Sequence, residues 1–384
     1  MKGFIILGLG ASSILSAQTD STQIKEIQEV SFTRRLPVSK EIINVQKDLG
    51  AKNLGQDLPI LLKNQMSVVA TSDAGNGVGY TGFRIRGSAG TSINVMLNGV
   101  PYNDSESQGT FFVNIPDMAS SASQIVIQRG VGTSSNGTAS FGASVNILTK
   151  NPEEKPYFLT NQSAGSFNTF KHSFEAGTGK FLNNLFSVSA RYSIINSDGY
   201  IDRAFSKLNS YNINALFEKG NTKLRFLTFG GKEKTYQAWN GIDKATYESN
   251  PKFNYSGAIY DANWENIIGF YDNETDNYRQ NHYHLLWEQK LGKIWNLETT
   301  FHLTHGEGYY ENYKQDAKFS KYDLPNIVEN GNTITRTDFI RKKWLDNDFY
   351  GVVSNLYGNF ENLNLNFGVA ANQYFGRHFG NVSG

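Results

Sequence analysis

Two pairs of histidines and one glycine-rich segment are the residues of this 384-residue chain whose spacing could support chemistry. His282 and His284 form one pair and His302 and His305 the other, and imidazoles this close could serve a haem or metal site. The chain has no cysteine, and no carboxylate completes either set, so we predict solvated histidines rather than a metal site. Residues 129–144, RGVGTSSNGTASFGAS, lack the Gly-Lys-Ser/Thr of a phosphate loop and the third glycine of a dinucleotide fingerprint. We therefore predict that this segment binds no nucleotide cofactor.

Aromatic side chains in two long polar segments, Lys232–Asn277 and Gly306–Asp346, are the candidates for ligand binding. Flat apolar rings in a loop could hold an aromatic or planar small molecule. They could equally form an aromatic belt at a membrane interface. The four candidate residues are Tyr236, Trp239, Tyr309 and Tyr310.

Composition restricts the class of protein that positions these residues. Lys and Arg number 36 against 35 Asp and Glu, whereas a dedicated nucleic-acid binder carries a basic excess. Aromatic residues make up 13% of the chain, but no internal apolar run reaches the roughly 18 residues of a helical membrane span. High aromatic content with few charges is typical of a β-rich protein.

The N-terminus predicts export from the cytoplasm. Lys2 precedes the apolar run Gly3–Leu15, and small residues allow cleavage after Ala17, so residues 1–17 have the pattern of a signal peptide. The polar segment 18–35 follows. It is either a disordered leader or a peptide that adds a strand to the sheet edge of a partner.

Residues 36–150 combine short helical and strand patterns. Asp57, followed by a proline at position 59, predicts the start of a short helix. Ile93–Leu97 predicts a strand, and Asn98-Gly99 predicts a hairpin turn because both residues tolerate positive φ.

Residues 151–384 alternate between apolar and polar side chains. Apolar residues from Phe186 to Ile194 alternate with Ser187, Ser189, Arg191 and Ser193, and similar runs recur along the chain. We count about nine such strands of roughly ten residues, the length of a tilted membrane strand. Short and long connections alternate, as they do in transmembrane barrels. The expected fold is therefore an α+β domain followed by a transmembrane antiparallel β-barrel.

The segments DLPILLKNQMSVVATSD (57–73), FRIRGSAGTSINVMLNGVPYND (83–104) and IPDMASSASQIVIQRGVGTSSNGTASFGASVNILTK (115–150) together resemble the plug domain of TonB-dependent outer-membrane receptors. A plug filling the lumen also suits barrels of about 22 strands. Such a barrel needs several hundred residues after the plug, so we expect residues 151–384 to be its first part and the chain to be a fragment.

The resemblance also implies particular sites. The segment EIQEVSFT resembles the Ton box, which in this family pairs with the periplasmic TonB protein. Arg86 and Arg129, which match arginines of the plug motifs, would bind carboxylates of the barrel as a plug–barrel latch. The implied TonB-binding residues are Glu26, Ile27, Gln28, Glu29, Val30 and Ser31.

The resemblance implies import without catalysis at the outer membrane of a Gram-negative bacterium, driven by TonB and its inner-membrane energising complex. The expected ligand is an extracellular small molecule, an iron chelate such as a siderophore or haem, or a vitamin. The expected partners are TonB, this ligand and outer-membrane lipid, with no nucleic acid. A first alternative is a SusC-type glycan or peptide importer with a surface lipoprotein partner. A second is a secreted soluble β-rich protein.

Overall fold

The computed structural model describes residues 40–131 and 141–384. The predicted signal peptide and the predicted Ton box, Glu26–Ser31, lie outside the described residues. Within the described part of the chain, no helix has the length and apolar character needed to cross a membrane.

The first part of the described chain forms a small α+β domain, here called the plug. Its elements in chain order are β1 (Lys40–Asn44), α1 (Leu58–Leu61), β2 (Val68–Ser72), β3 (Thr81–Ile85), β4 (Ile93–Leu97), β5 (Val100–Pro101), α2 (Met118–Ser121), β6 (Ala122–Arg129) and β7 (Ala143–Thr149). Five strands form a mixed sheet in the order β1-β6-β7-β4-β5, in which only β4 and β7 run parallel. Strands β2 and β3 form a separate ribbon.

Local sequence accounts for the predicted turns of the plug. Asn98 and Gly99 have φ values of +52° and +80°, and they close the β4–β5 hairpin as predicted. Both residues of this turn need positive φ, which Asn and Gly adopt at low cost. The predicted helix is also present, with Asp57 at its N-cap position and a proline in its first turn.

The core of the plug lies beneath β6 and β7. Ile125, Ile127, Val145 and Ile147 are completely buried because alternate residues of each strand point to the same face. The same apolar cluster continues onto Leu227 and Phe229 of the large sheet described below. The plug and the large sheet therefore share one hydrophobic core.

The rest of the chain forms a large antiparallel sheet with small insertions. Its elements are β8 (Pro156–Gly165), β9 (Thr169–Phe181), β10 (Phe186–Ser197), β11 (Ser206–Lys219), β12 (Thr222–Tyr236), α3 (Lys244–Ser249), β13 (Ala258–Tyr260), β14 (Ile267–Phe270), β15 (Thr275–Leu291), β16 (Trp295–Lys318), β17 (Ile327–Glu329), β18 (Asn332–Ile334), β19 (Arg336–Asn359) and β20 (Asn364–Ser383). The described residues also contain short helical turns. One is π-helical, at Val45–Leu49, and four are 3-10 turns, at Gly50–Lys52, Gly90–Ser92, Phe112–Asn114 and Phe319–Tyr322.

Nine long strands pair in the order β20-β19-β16-β15-β12-β11-β10-β9-β8, each antiparallel to its neighbours. The sheet is open, because β8 and β20 pair on one side only among the described residues. The predicted fold class, a plug followed by an incomplete antiparallel barrel, is confirmed.

The alternation predicted for β10 sorts its side chains between the two faces. Arg191 and Ser193 are 5% and 1% exposed on the face that meets the plug, whereas Tyr192 and Ile194 are 48% and 36% exposed on the opposite face. A strand with polar side chains toward the interior and apolar side chains outward has the pattern of a barrel wall in lipid.

The two long predicted loops are shorter than expected because the strands continue into them. Strand β16 runs to Lys318 and β19 begins at Arg336, so Tyr309 and Tyr310 lie in a strand and not in a loop. The prediction of a loop there was wrong. Charged and polar side chains such as Glu311, Lys314 and Arg341 interrupt the apolar alternation at the ends of these strands, so the pattern does not reveal them.

Candidate functional site

The plug is joined to the large sheet at Asp117, which precedes α2. Its side chain is completely buried. One carboxylate oxygen, Oδ1, accepts from Nζ of Lys171 on β9 at 2.7 Å, and Oδ2 accepts from Nη1 of Arg191 on β10 at 3.0 Å. One acidic group of the plug therefore binds two basic groups of the sheet in a site without water access.

Short hydroxyl contacts complete the shell of Asp117. Ser120 Oγ donates to Oδ1 at 2.5 Å, and Ser193 Oγ donates to Oδ2 at 2.6 Å. Burial raises the pKa of Asp117, but the charges of Arg191 and Lys171 outweigh it and hold this pKa below its ordinary value. Asp117 is therefore ionised, and removing either side of this cluster leaves a buried charge unpaired.

A second polar contact lies where the chain leaves the plug. Arg225 of β12 donates from Nη2 to Thr149 Oγ1 at 2.5 Å and also to the carbonyl of Lys150. Its Nε donates to Asn214 Oδ1 at 2.9 Å. This arginine fixes the end of β7 against the sheet.

In the described part of the chain Arg129 contacts groups of the plug, and the predicted role of Arg86 in a plug–barrel latch stays a prediction. Arg129 is buried, but its guanidinium pairs with Glu41 of β1 and donates to the carbonyl of Met66, and both partners belong to the plug. Arg86 is exposed, and its Nη1 lies against Gly130 of the plug. In the cluster at Asp117, the acid belongs to the plug and the two bases belong to the sheet.

A cavity of about 1150 Å³ lies between the plug and the ends of the long strands. Trp239, Tyr309 and Tyr310 line it, together with Tyr80, which the sequence analysis did not single out. The Tyr80 ring meets the Trp239 ring edge-on at 5.4 Å between centroids, and Trp239 meets Tyr310 in the same way at 6.3 Å. The three rings form a continuous aromatic wall.

Tyr236, the fourth predicted binding residue, has a structural role instead. It is 4% exposed, and its hydroxyl donates to the carbonyl of Tyr271 at 2.8 Å or that of Ser256 at 3.0 Å. It ends β12 and holds the following insertion in place. A ligand in the cavity would not reach it.

Carboxylates from both parts of the structure line the cavity. The hydroxyl of Tyr80 lies 3.4 Å from Glu233 Oε1 and within hydrogen-bond distance of Asp276. Asp73 and Asp104 of the plug line the same cavity. Burial raises the pKa of Asp73 to about 6. Sequence alone did not reveal these acids because they lie far apart along the chain.

Of the two histidine pairs singled out in the sequence, His282, His284 and His302 are buried rather than solvated, whereas His305 is half-buried. His282, His284 and His302 are 3%, 1% and 4% exposed, whereas His305 contacts Asp348 at 2.8 Å. Ring centroids of the buried three are 6.2 and 6.3 Å apart in succession. Across residues 40–131 and 141–384, no group of three or more His, Cys, Asp or Glu side chains is placed to hold a metal ion.

Comparisons with known proteins agree with this architecture. Residues 33–144 match the family model of the TonB-dependent Receptor Plug Domain. No curated protein matches the sequence. Similar solved structures include the unliganded ferric citrate transporter FecA, 13% identical with a TM-score of 0.66. The copper transporter OprC is 12% identical with a TM-score of 0.63. FpvA of P. aeruginosa, in an iron complex with a heterologous pyoverdine, is 11% identical with a TM-score of 0.60.

These structural matches cover nearly all of the present chain but under half of each relative. The match to FecA covers 90% of this chain and 48% of FecA. The match to OprC covers 90% of this chain and 47% of OprC, and the match to FpvA covers 91% of this chain and 44% of FpvA. Identities this low establish a shared fold, and function is argued from the site.

Proposed function

We propose that this chain, which carries a TonB-dependent receptor plug domain, serves TonB-energised import of a scarce small molecule across the outer membrane. An iron chelate or another metal complex is the ligand class that we favour. The proposed role consists of binding and transport, with no catalytic step.

The observation that carries this proposal is the attachment of the plug to the large sheet. Asp117 holds Lys171 and Arg191 in a buried cluster, and a wide aromatic cavity opens beside the plug. A plug held in this way blocks passage until work is done on it. Separating a buried ion pair costs several kcal/mol, which is the order of work that an external energy source must supply.

The ligand class rests on the named relatives and on the cavity. FecA is a ferric citrate transporter, OprC a copper transporter, and the FpvA structure holds an iron complex of a pyoverdine. The cavity of about 1150 Å³ has room for a chelate of several hundred daltons, and aromatic residues line it. Glu26–Ser31 is the segment that we propose for pairing with TonB.

Uptake in cells tests this function. The gene is expressed in an outer-membrane receptor-deficient host, and accumulation of radioactive iron is measured with a panel of ferric chelates in strains with and without TonB. The proposal expects TonB-dependent accumulation of at least one chelate and induction of the gene by iron starvation in its native host. Accumulation that does not change when TonB is deleted would contradict it.

A further inference from the structure

We propose that the imported ligand carries an ammonium group, which binds where Tyr80, Glu233 and Asp276 meet. This inference rests on the proposed function, because it names the chemistry of the ligand that the cavity takes. Three independent features of the cavity support it.

The first feature is a pair of acids without a basic partner among the described residues. Glu233 is 1% exposed and Asp276 is half-buried, and both lie within reach of the single hydroxyl of Tyr80. A phenol donates one proton, so it satisfies only one carboxylate at a time, and the Thr235 hydroxyl donates to Glu233 Oε2 at 3.3 Å. Neither carboxylate forms an ion pair with any residue in the described part of the chain. Buried carboxylates without a cation are costly, and a ligand ammonium group would remove that cost.

The second feature is the aromatic wall beside these acids. Tyr80 meets Phe111 on one side at 6.4 Å and Trp239 on the other at 5.4 Å, in edge-on contacts. An ammonium group near aromatic faces gains cation–π attraction in addition to its hydrogen bonds. Carboxylates and aromatic rings together select a cation over an uncharged polar group.

The third feature is an acceptor without a donor. Asn114 lines the cavity and is 7% exposed, and its Oδ1 accepts no hydrogen bond from the described residues. A buried acceptor left unpaired costs free energy. The N–H groups of an ammonium or amine would supply the missing donor.

Positive charge lies farther along the same sheet and orients the ligand. Asp276 pairs in register with Tyr310, and Tyr310 pairs with Lys343, so the acid and the base lie two strands apart on the same row. Adjacent strands are about 4.8 Å apart, which places the two backbone positions about 10 Å apart. Arg341 and Lys321 also line the cavity. An anionic part of the ligand would face Lys343 while its ammonium group faces Glu233 and Asp276.

A matched pair of small probes tests the inference without TonB. The full chain is purified in detergent, and 2-phenylethylammonium and the uncharged 2-phenylethanol are titrated to millimolar concentration by ligand-observed NMR. We expect saturable binding of the ammonium compound, about tenfold or more tighter than binding of the alcohol, as a charged hydrogen bond provides. The Glu233→Gln/Asp276→Asn double variant should bind both probes equally.

The control variant is Glu329→Gln, an exposed acid of β17 outside the cavity, which should keep the preference for ammonium. Far-UV circular dichroism confirms that all variants are folded. Three results would overturn the inference: no saturable ammonium binding, equal binding of both probes to the unmodified chain, or an unchanged preference in the double variant. None of these results bears on TonB-dependent uptake, which is measured separately in cells.

Discussion

Asp117 and Lys171 are both completely buried, and their charged atoms lie 2.7 Å apart across the boundary between the plug and the large sheet. Arg191 contacts the other oxygen of the same carboxylate. Because the cluster joins the two parts that separate in the proposed transport, it is the place where the stability of the closed state can be tested.

Asp117→Asn should weaken the closed state strongly. The change leaves Lys171 and Arg191 buried without a counter-charge, and breaking a buried pair in this way costs about 3–5 kcal/mol. We expect faster protease cleavage of the plug and greater sensitivity of cells to large antibiotics at equal protein abundance. The control is Asp316→Asn, which breaks an exposed pair with Arg336 and should cost about 0–1 kcal/mol. Equal behaviour of the two variants would contradict the proposed role of Asp117.

Arg129→Ala should loosen the plug internally and leave its attachment to the sheet intact. Arg129 pairs with Glu41, so its loss should increase hydrogen exchange of the β1 amides by an amount consistent with about 1–3 kcal/mol. Glu41→Gln should produce the same local change. If exchange instead increased in β9 and β10, Arg129 would act on the sheet after all.

Asp57 makes the stability of the plug depend on pH. Burial raises the pKa of Asp57 to about 8, and its one side-chain partner is the Thr81 hydroxyl, which donates at 3.1 Å. The folded chain therefore holds a proton that the unfolded chain releases above its ordinary pKa of about 4. Since the folded state binds more protons, stability falls as pH rises from about 4 to 8, by at most about 1.4 kcal/mol per pH unit.

Asp57→Asn should remove this dependence, because the amide stays neutral and keeps an oxygen for the Thr81 hydroxyl. We expect a higher thermal midpoint than the unmodified chain above about pH 8 and little difference near pH 4. Thermal unfolding in detergent across this range measures the effect, with the exposed Glu361→Gln as the control. Parallel pH profiles for the unmodified chain and Asp57→Asn would show that Asp57 is not the group responsible.

Ile27→Pro should abolish uptake and leave ligand binding unchanged. If Glu26–Ser31 adds a strand to TonB, proline removes a backbone donor from that pairing. Thr22→Pro, upstream of the segment, is the matched control and should transport normally. Full energy-dependent transport by Ile27→Pro would rule out this segment as the site of TonB pairing.

The amino-acid sequence by itself determined the local features of this protein. The Asn98-Gly99 hairpin follows from backbone preference, and the sides of β10 on which Arg191 and Tyr192 lie follow from the two-residue period of a strand. The plug could be identified because each of its motifs is a continuous stretch of the chain. These features depend on residues within one turn or one strand, so a linear pattern contains them.

Only the tertiary structure decided which charged groups meet. Asp117 lies 54 residues from Lys171 and 74 from Arg191, and Tyr80 lies 196 from Asp276. The sequence predicted a barrel carboxylate as the partner of Arg129, but the pairing of β1 with β6 places Glu41 of the plug beside it. Strand alternation predicts the face on which a side chain lies, but not what lies opposite. The partner depends on how the plug sits against the sheet, which is fixed by packing of the whole core and not by any local pattern.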